Sequence, residues 1–292
     1  MSAIRHLSLA AVLRAALVFA PALAVFPALA QSVPDPGEQA AIAKAAEVVY
    51  VRELTRMGKE RTLNTDATAL ARVRGATELL LRSAQSLRPE SRQWQWAVVV
   101  ETRAEPVLYC LPGGRIVATT GLLERLRPTP AELTALVAHA IAHALDGHDG
   151  DEAAAQFAQR REPADADPNR GMLRLGDLLL KLVLGEPQRP DAERAADTLA
   201  LQLLAQAGQD PRAAPTAWRK VAAQTGTRPP AFPALHPVDT DRLAAMEAQI
   251  PAMVARYEQA RQELEKMPAA APPPGTPARG PQGAPPGSPA RR

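Results

Sequence analysis

Two histidines stand one helical turn apart in the run Ala138-His139-Ala140-Ile141-Ala142-His143. On a helix, i and i+4 share a face, so both imidazoles could reach one metal ion. At about 100° per residue, the stripe Leu133, Val137, Ile141 and Leu145 points well away from that face. These are therefore not simply core histidines, although a helix whose histidines align by chance is the bland alternative. A second i, i+4 pair, Glu193 and Asp197, lies further along the chain. A glutamate can complete a two-histidine, one-carboxylate zinc site that keeps its fourth position for water. Asp197 can accept the free N–H of a ligating histidine and fix its tautomer. Viewed alone, the two carboxylates read equally well as a solvated acidic pair beside Arg194.

These side chains need elements to hold them. Thr129, Pro130 and Glu132 form a capping box with a helix-starting proline, and the predicted helix runs on to Gly147. Pro190 opens the helix that carries Glu193 and Asp197, with Gly208 as its stop. Upstream, helices are predicted over 38–59 and from about Asp66 to Leu87, the second capped by Thr65 and stopped before Pro89. The alternation of Trp94, Trp96, Val98 and Val100 predicts a strand, followed by short strands over 107–111 and 115–119 around the turn Pro112-Gly113-Gly114. Residues 150–170 read as a helix extension and then a loop. Further helices are expected over 172–184, 211–225 and 239–266. The fold class is mainly α with a small antiparallel β-sheet (α+β).

The chain has 292 residues, enough for one sizeable core. Aromatic residues are only 3%, so that core must be built from Ala, Leu and Val, which favours helices. The net charge of +3 is spread along the chain without a basic run interleaved with aromatics, which argues against nucleic acid as a partner. With Cys110 the single cysteine, neither an intrachain disulfide nor a multi-thiolate metal site can form. Residues 1–30 read as a cleaved signal peptide: a basic start at Arg5 and His6, an apolar run, and Ala28-Leu29-Ala30 before Gln31. That reading predicts a periplasmic or secreted protein that does not span a membrane after cleavage. Residues 31–267 then form the folded domain. The Pro-, Gly-, Ala- and Arg-rich stretch 268–292 reads as a disordered tail.

Four segments, in order, resemble the HtpX-like, BepA-like and CaaX-protease zinc peptidases. They are LPGGRIVATTGLLERL (111–126), ELTALVAHAIAHALDGH (132–148), ERAADTLALQLLAQAGQDP (193–211) and HPVDTDRL (236–243). The likeness covers roughly 48–253. It implies a zincin-like metallopeptidase fold and one zinc ion held by His139, His143 and Glu193, with Asp197 behind them. It implies that the strand Val107, Leu108, Tyr109, Cys110, Leu111 offers its edge to an extended polypeptide, a mode that reads backbone rather than side chains. His236 matches a histidine placed near the zinc, where it would stabilise an oxyanion. Arg242 matches a structural or carboxylate-binding arginine. His148 is expected at the surface. The implied partner is a polypeptide substrate or client, such as an unfolded or outer-membrane protein.

The resemblance fails at one position. The family's motif is H-E-x-x-H, and its glutamate takes a proton from the metal-bound water and passes it to the leaving amine. Ala140 occupies that position and has no group to do this. Glu132 lies about 10 Å from His139 along the helix axis, and Asp146 about one turn beyond His143. A substitute from 149–152 stays open. The readings are a zinc-stabilised pseudopeptidase that binds polypeptides, a peptidase with a substitute base, a peptidase that has lost its glutamate through a single change, and a metal-free helical structural protein.

Overall fold

The computed structural model describes residues 36–266 apart from 161, 225–227 and 229–230. The expected leader (1–30) and tail (268–292) lie outside the described residues. The elements in order are α1 (Pro36–Glu60), α2 (Ala67–Leu87), β1 (Ala97–Glu101), β2 (Leu108–Leu111), β3 (Arg115–Thr119), α3 (Thr120–Leu126), α4 (Pro130–Asp146), α5 (His148–Gln159), α6 (Pro168–Gly185), α7 (Pro190–Gln206), α8 (Ala213–Ala222), α9 (Phe232–Leu235) and α10 (Thr240–Lys266).

The mainly helical α+β reading holds, but the sheet is mixed rather than antiparallel. Its order is β1-β3-β2, with β1 parallel and β2 antiparallel to β3. The link 102–107 crosses the end of β3 and places β1 on the side away from the β2–β3 hairpin. Gly121 makes that crossing possible: its N–H donates to the Arg103 carbonyl at 2.8 Å, and a Cβ there would meet the Ala104 oxygen at 2.2 Å. The alternation of the strands divides the core. Val100, Leu108, Cys110, Ile116 and Ala118 pack with α2 and α4. Val99, Val107, Tyr109, Leu111 and Val117 pack with α1 and α6. The strands are covered on both faces, so their buried run is apolar on both.

Several element ends depart from the sequence expectations, each for a local reason. Asp66, not Thr65, caps α2, its carboxylate accepting the Ala69 N–H at 2.9 Å. The first strand starts at Ala97 because a 3-10 turn over Pro89–Gln93 uses up the chain before it. Trp94 and Trp96 instead pack against the core from outside the strand. Gly147, at φ 75°, ends α4 and lets α5 begin as a separate helix instead of an extension. The short α9 had no periodic signal to reveal it.

The capping box of α4 is present: Thr129 N–H donates to Glu132 Oε2 at 2.7 Å, and Glu132 N–H donates to the Thr129 hydroxyl at 3.3 Å. All residues from Glu132 to Leu145 are buried. The helix is therefore enclosed by α2, α7, α8 and β2, and has no solvated face opposite the Leu133–Leu145 stripe.

Candidate metal centre

Four elements deliver the site. α4 supplies His139 and His143, and α7, packed against it, supplies Glu193 and Asp197. The residue after α9 is His236, and the first turn of α10 brings Arg242. The donor atoms of His139, His143, Glu193 and His236 lie within 4.8 Å of one another. His143 Nε2 is 3.0 Å from His139 Nε2 and 3.2 Å from Glu193 Oε1. His236 Nδ1 is 2.7 Å from Glu193 Oε1 and 3.3 Å from His139 Nε2.

Behind this group, Asp197 Oδ1 is 3.0 Å from His139 Nδ1, although the ring N–H is not aimed squarely at it. Arg242 grips Asp197 with two hydrogen bonds, Nε to Oδ2 at 2.7 Å and Nη2 to Oδ1 at 2.9 Å. The same guanidinium forms an ion pair with Glu193.

Burial sets the electrostatics. It pushes the fully buried His139 down to about 3, against the pull of Glu193 and Asp197. Burial likewise lowers His236, opposed by Glu193. At His143 burial acts downward too, but the Glu193 hydrogen bond and charge outweigh it and raise the imidazole. Burial alone would raise Glu193, yet the imidazoles of His236, His139 and His143 hold it well below the carboxylate range. At Asp197 the same contest is won by Arg242 and His139, which lower it.

The donor set suits a cation. With Asp197 facing Nδ1 of His139, that nitrogen carries the proton and Nε2 presents a lone pair. The lone pair points at a second imidazole, a third, and a carboxylate held ionised. Ligand atoms on a tetrahedral zinc stand about 3.4 Å apart. The contacts here, from 2.7 to 3.6 Å, are those of such a set drawn slightly together.

Residues 71–250 match Peptidase family M48. The chain belongs to this family. A mitochondrial metalloendopeptidase OMA1 of Arabidopsis thaliana is 35% identical over 132 residues, 43% of this chain and 26% of that protein. The OMA1 of Schizosaccharomyces pombe is 29% identical over 160 residues, 54% of this chain and 47% of that protein. The chain thus spans a quarter to half the length of these relatives. Both are mitochondrial, which overturns the expected periplasmic or secreted location. A short basic, apolar leader is an address read by a receptor, and its composition does not fix the compartment. Among the described residues, no helix is long and apolar enough to cross a membrane.

In this M48 chain the sequence-predicted groups meet. His236 sits among the donors, close to where the likeness put it, because α9 is anchored at both ends. Phe232 N–H donates to the Pro106 carbonyl at 2.6 Å, and Gln188 N–H to the Leu235 carbonyl at 2.8 Å. His148 is half-buried at the start of α5 and is not part of the donor group. Ala140 is 3% exposed and packed in the apolar core. Glu132 is committed to the cap and to Lys220 at 2.6 Å, and Asp146 to Arg88 at 3.1 Å, so neither serves the site. The strand from Val107 to Leu111 does lie at the sheet edge beside α4. Each of its residues is at most 6% exposed, so an incoming strand requires local opening.

Sequence reasoning missed Trp218. Its ring stands nearly perpendicular to that of His139, with centroids 4.6 Å apart, and faces the Arg242 guanidinium at 4.1 Å. No spacing rule singles out one tryptophan on a helix.

Proposed function

We propose that this M48 chain is a zinc-binding pseudopeptidase: one zinc ion held by His139, His143 and Glu193 stabilises a fold that binds extended polypeptide without cutting it. The observation that carries the reading is Ala140, an apolar, buried side chain between two histidines whose ligand set is otherwise complete. His236 adds a fourth donor where a catalytic site keeps a water position. Asp197 and Arg242 orient the set from behind. Zinc, when bound, supplies Lewis acidity and acidifies a coordinated water. In the active members of the likeness drawn above, a glutamate then handles the proton. This chain's own residues at that point, Ala140 and its apolar neighbours, hold no proton. The client would be an unfolded or extended polypeptide added along the free edge of β2. The finer kinship to HtpX-like, BepA-like or CaaX-type members belongs to the same reading.

Metal analysis of the purified chain is expected to give about one zinc per molecule, against a structural site ratio of one. Less than about a tenth of an equivalent would remove the site. Cleavage of casein or an unfolded porin is then compared with Ala140→Glu. The variant is expected to exceed the parent by about 10²–10⁴-fold. Equal, chelator-sensitive rates would overturn the pseudopeptidase reading.

One observation favours a second reading, a peptidase with a substitute base. Asp149, in the first turn of α5, forms no hydrogen bond or ion pair among the described residues. Burial pushes its carboxyl up, while the charges of His143, His236 and His148 pull it down. It is thus an unpartnered carboxyl that senses the cluster. If the parent cleaves and Asp149→Asn does not, with zinc content unchanged, this reading replaces the first.

A further inference from the structure

We propose that Trp218 is a positioning residue of the metal centre, its indole setting the orientation of three of the four donors at once. This rests on the zinc-site reading above. Trp218 is 2% exposed and comes from α8, which contributes no donor.

The first donor is reached directly. The indole meets the His139 imidazole edge-to-face, at an interplanar angle of 76°. The second is reached through Arg242. That guanidinium uses its edges on Asp197, on the Pro237 carbonyl at 2.8 Å and on Glu193. A planar guanidinium has no donors on its faces, and an aromatic face satisfies one of them. The indole at 4.1 Å therefore fixes the plane in which both carboxylates are held. The third is reached through Phe232, which stacks on Trp218 at 5.7 Å and 14° and touches His236 at 4.5 Å. A tryptophan that merely filled volume would not need its face on the arginine and a perpendicular ring contact with the histidine.

Partners behind metal ligands typically change affinity 10–100-fold when removed. Zinc affinity is measured by competition with a chromophoric chelator on the full chain, together with the visible spectrum of the cobalt-substituted protein. Trp218→Leu is expected to weaken zinc about 10–100-fold and to alter the cobalt bands. Trp218→Phe, which restores an aromatic face, is expected to recover most of the affinity and the parent spectrum. Trp218→Met fills much of the space without a π face, and is expected to behave like the leucine variant should that one not fold. Val221→Ala, a cavity in the same buried face of α8, controls for stability alone. If Val221→Ala weakens zinc as much as Trp218→Leu, or if Trp218→Leu and Trp218→Met bind zinc like the parent, the proposal is overturned. Failure of the parent itself to bind zinc would instead remove the reading beneath it.

Discussion

His139 and Ala140 are neighbours on one enclosed helix, and their surroundings differ completely. Around His139 stand polar groups on every side: Asp197, Glu193, His143, His236 and, behind them, Arg242. Ala140 is an apolar side chain packed with the core. Position 140 carries no proton-handling group, while the donor residues beside it stay closely grouped. Buried charge is costly unless paired. Glu193, Asp197 and Arg242 are buried together and paired with one another.

The His139 side of this contrast breaks most severely at Arg242. Arg242→Met leaves Glu193 and Asp197 buried without their cation, and is expected to cost about 3–5 kcal/mol in urea unfolding of the metal-free chain. A loss below about 1 kcal/mol, the range of an exposed pair, would show that the network is solvated. The Ala140 side is sharpened by Ala140→Glu in the same assay. Adding volume and a carboxyl at a closed position is expected to cost about 1–3 kcal/mol. No change would mean that the new side chain escapes into open space.

The pH dependence should be visible without metal. His139 and His236 are depressed in the folded state, so their contribution is complete above about pH 6.5, the unfolded histidine value. It is lost as pH falls toward the folded value, about 3 for His139. The raised His143 works in the opposite direction, and Glu193 and Asp197 add further loss below about pH 4. Thermal melting in chelator is expected to fall steadily from pH 7 to 4; a flat profile to pH 5 would contradict the buried, neutral state of His139. The smallest effect is expected at the far end of the helix. Thr129→Ala removes one half of the capping box and should cost about 1 kcal/mol with zinc affinity unchanged. Weakened zinc binding there would mean that α4 shifts as a rigid rod.

The two edges of the sheet repeat the contrast on a larger scale. The outer edge of β1 is closed: Asn64, at φ 53°, donates its N–H to the Val100 carbonyl and accepts the Val100 N–H on its side chain, each at 2.8 Å. The outer edge of β2 receives no backbone hydrogen bond from outside its hairpin among the described residues.

The sequence by itself determined what neighbouring residues encode. The i, i+4 spacing put two imidazoles on one face, the caps at Thr129 and Gly147 bounded their helix, Pro190 started the helix of Glu193, and Ala140 stood where the resembled motif has glutamate. These are short-range matters of helical period and capping. The tertiary structure alone decided what depends on packing between distant segments. His143 and Glu193 meet across 50 residues, and His139 and His236 across 97. No local rule places His236 among the donors, lays Trp218 on Arg242, or sets β1 parallel to β3. Those follow from how α4, α7, α8 and the loop around α9 fill one volume, which only the assembled core specifies.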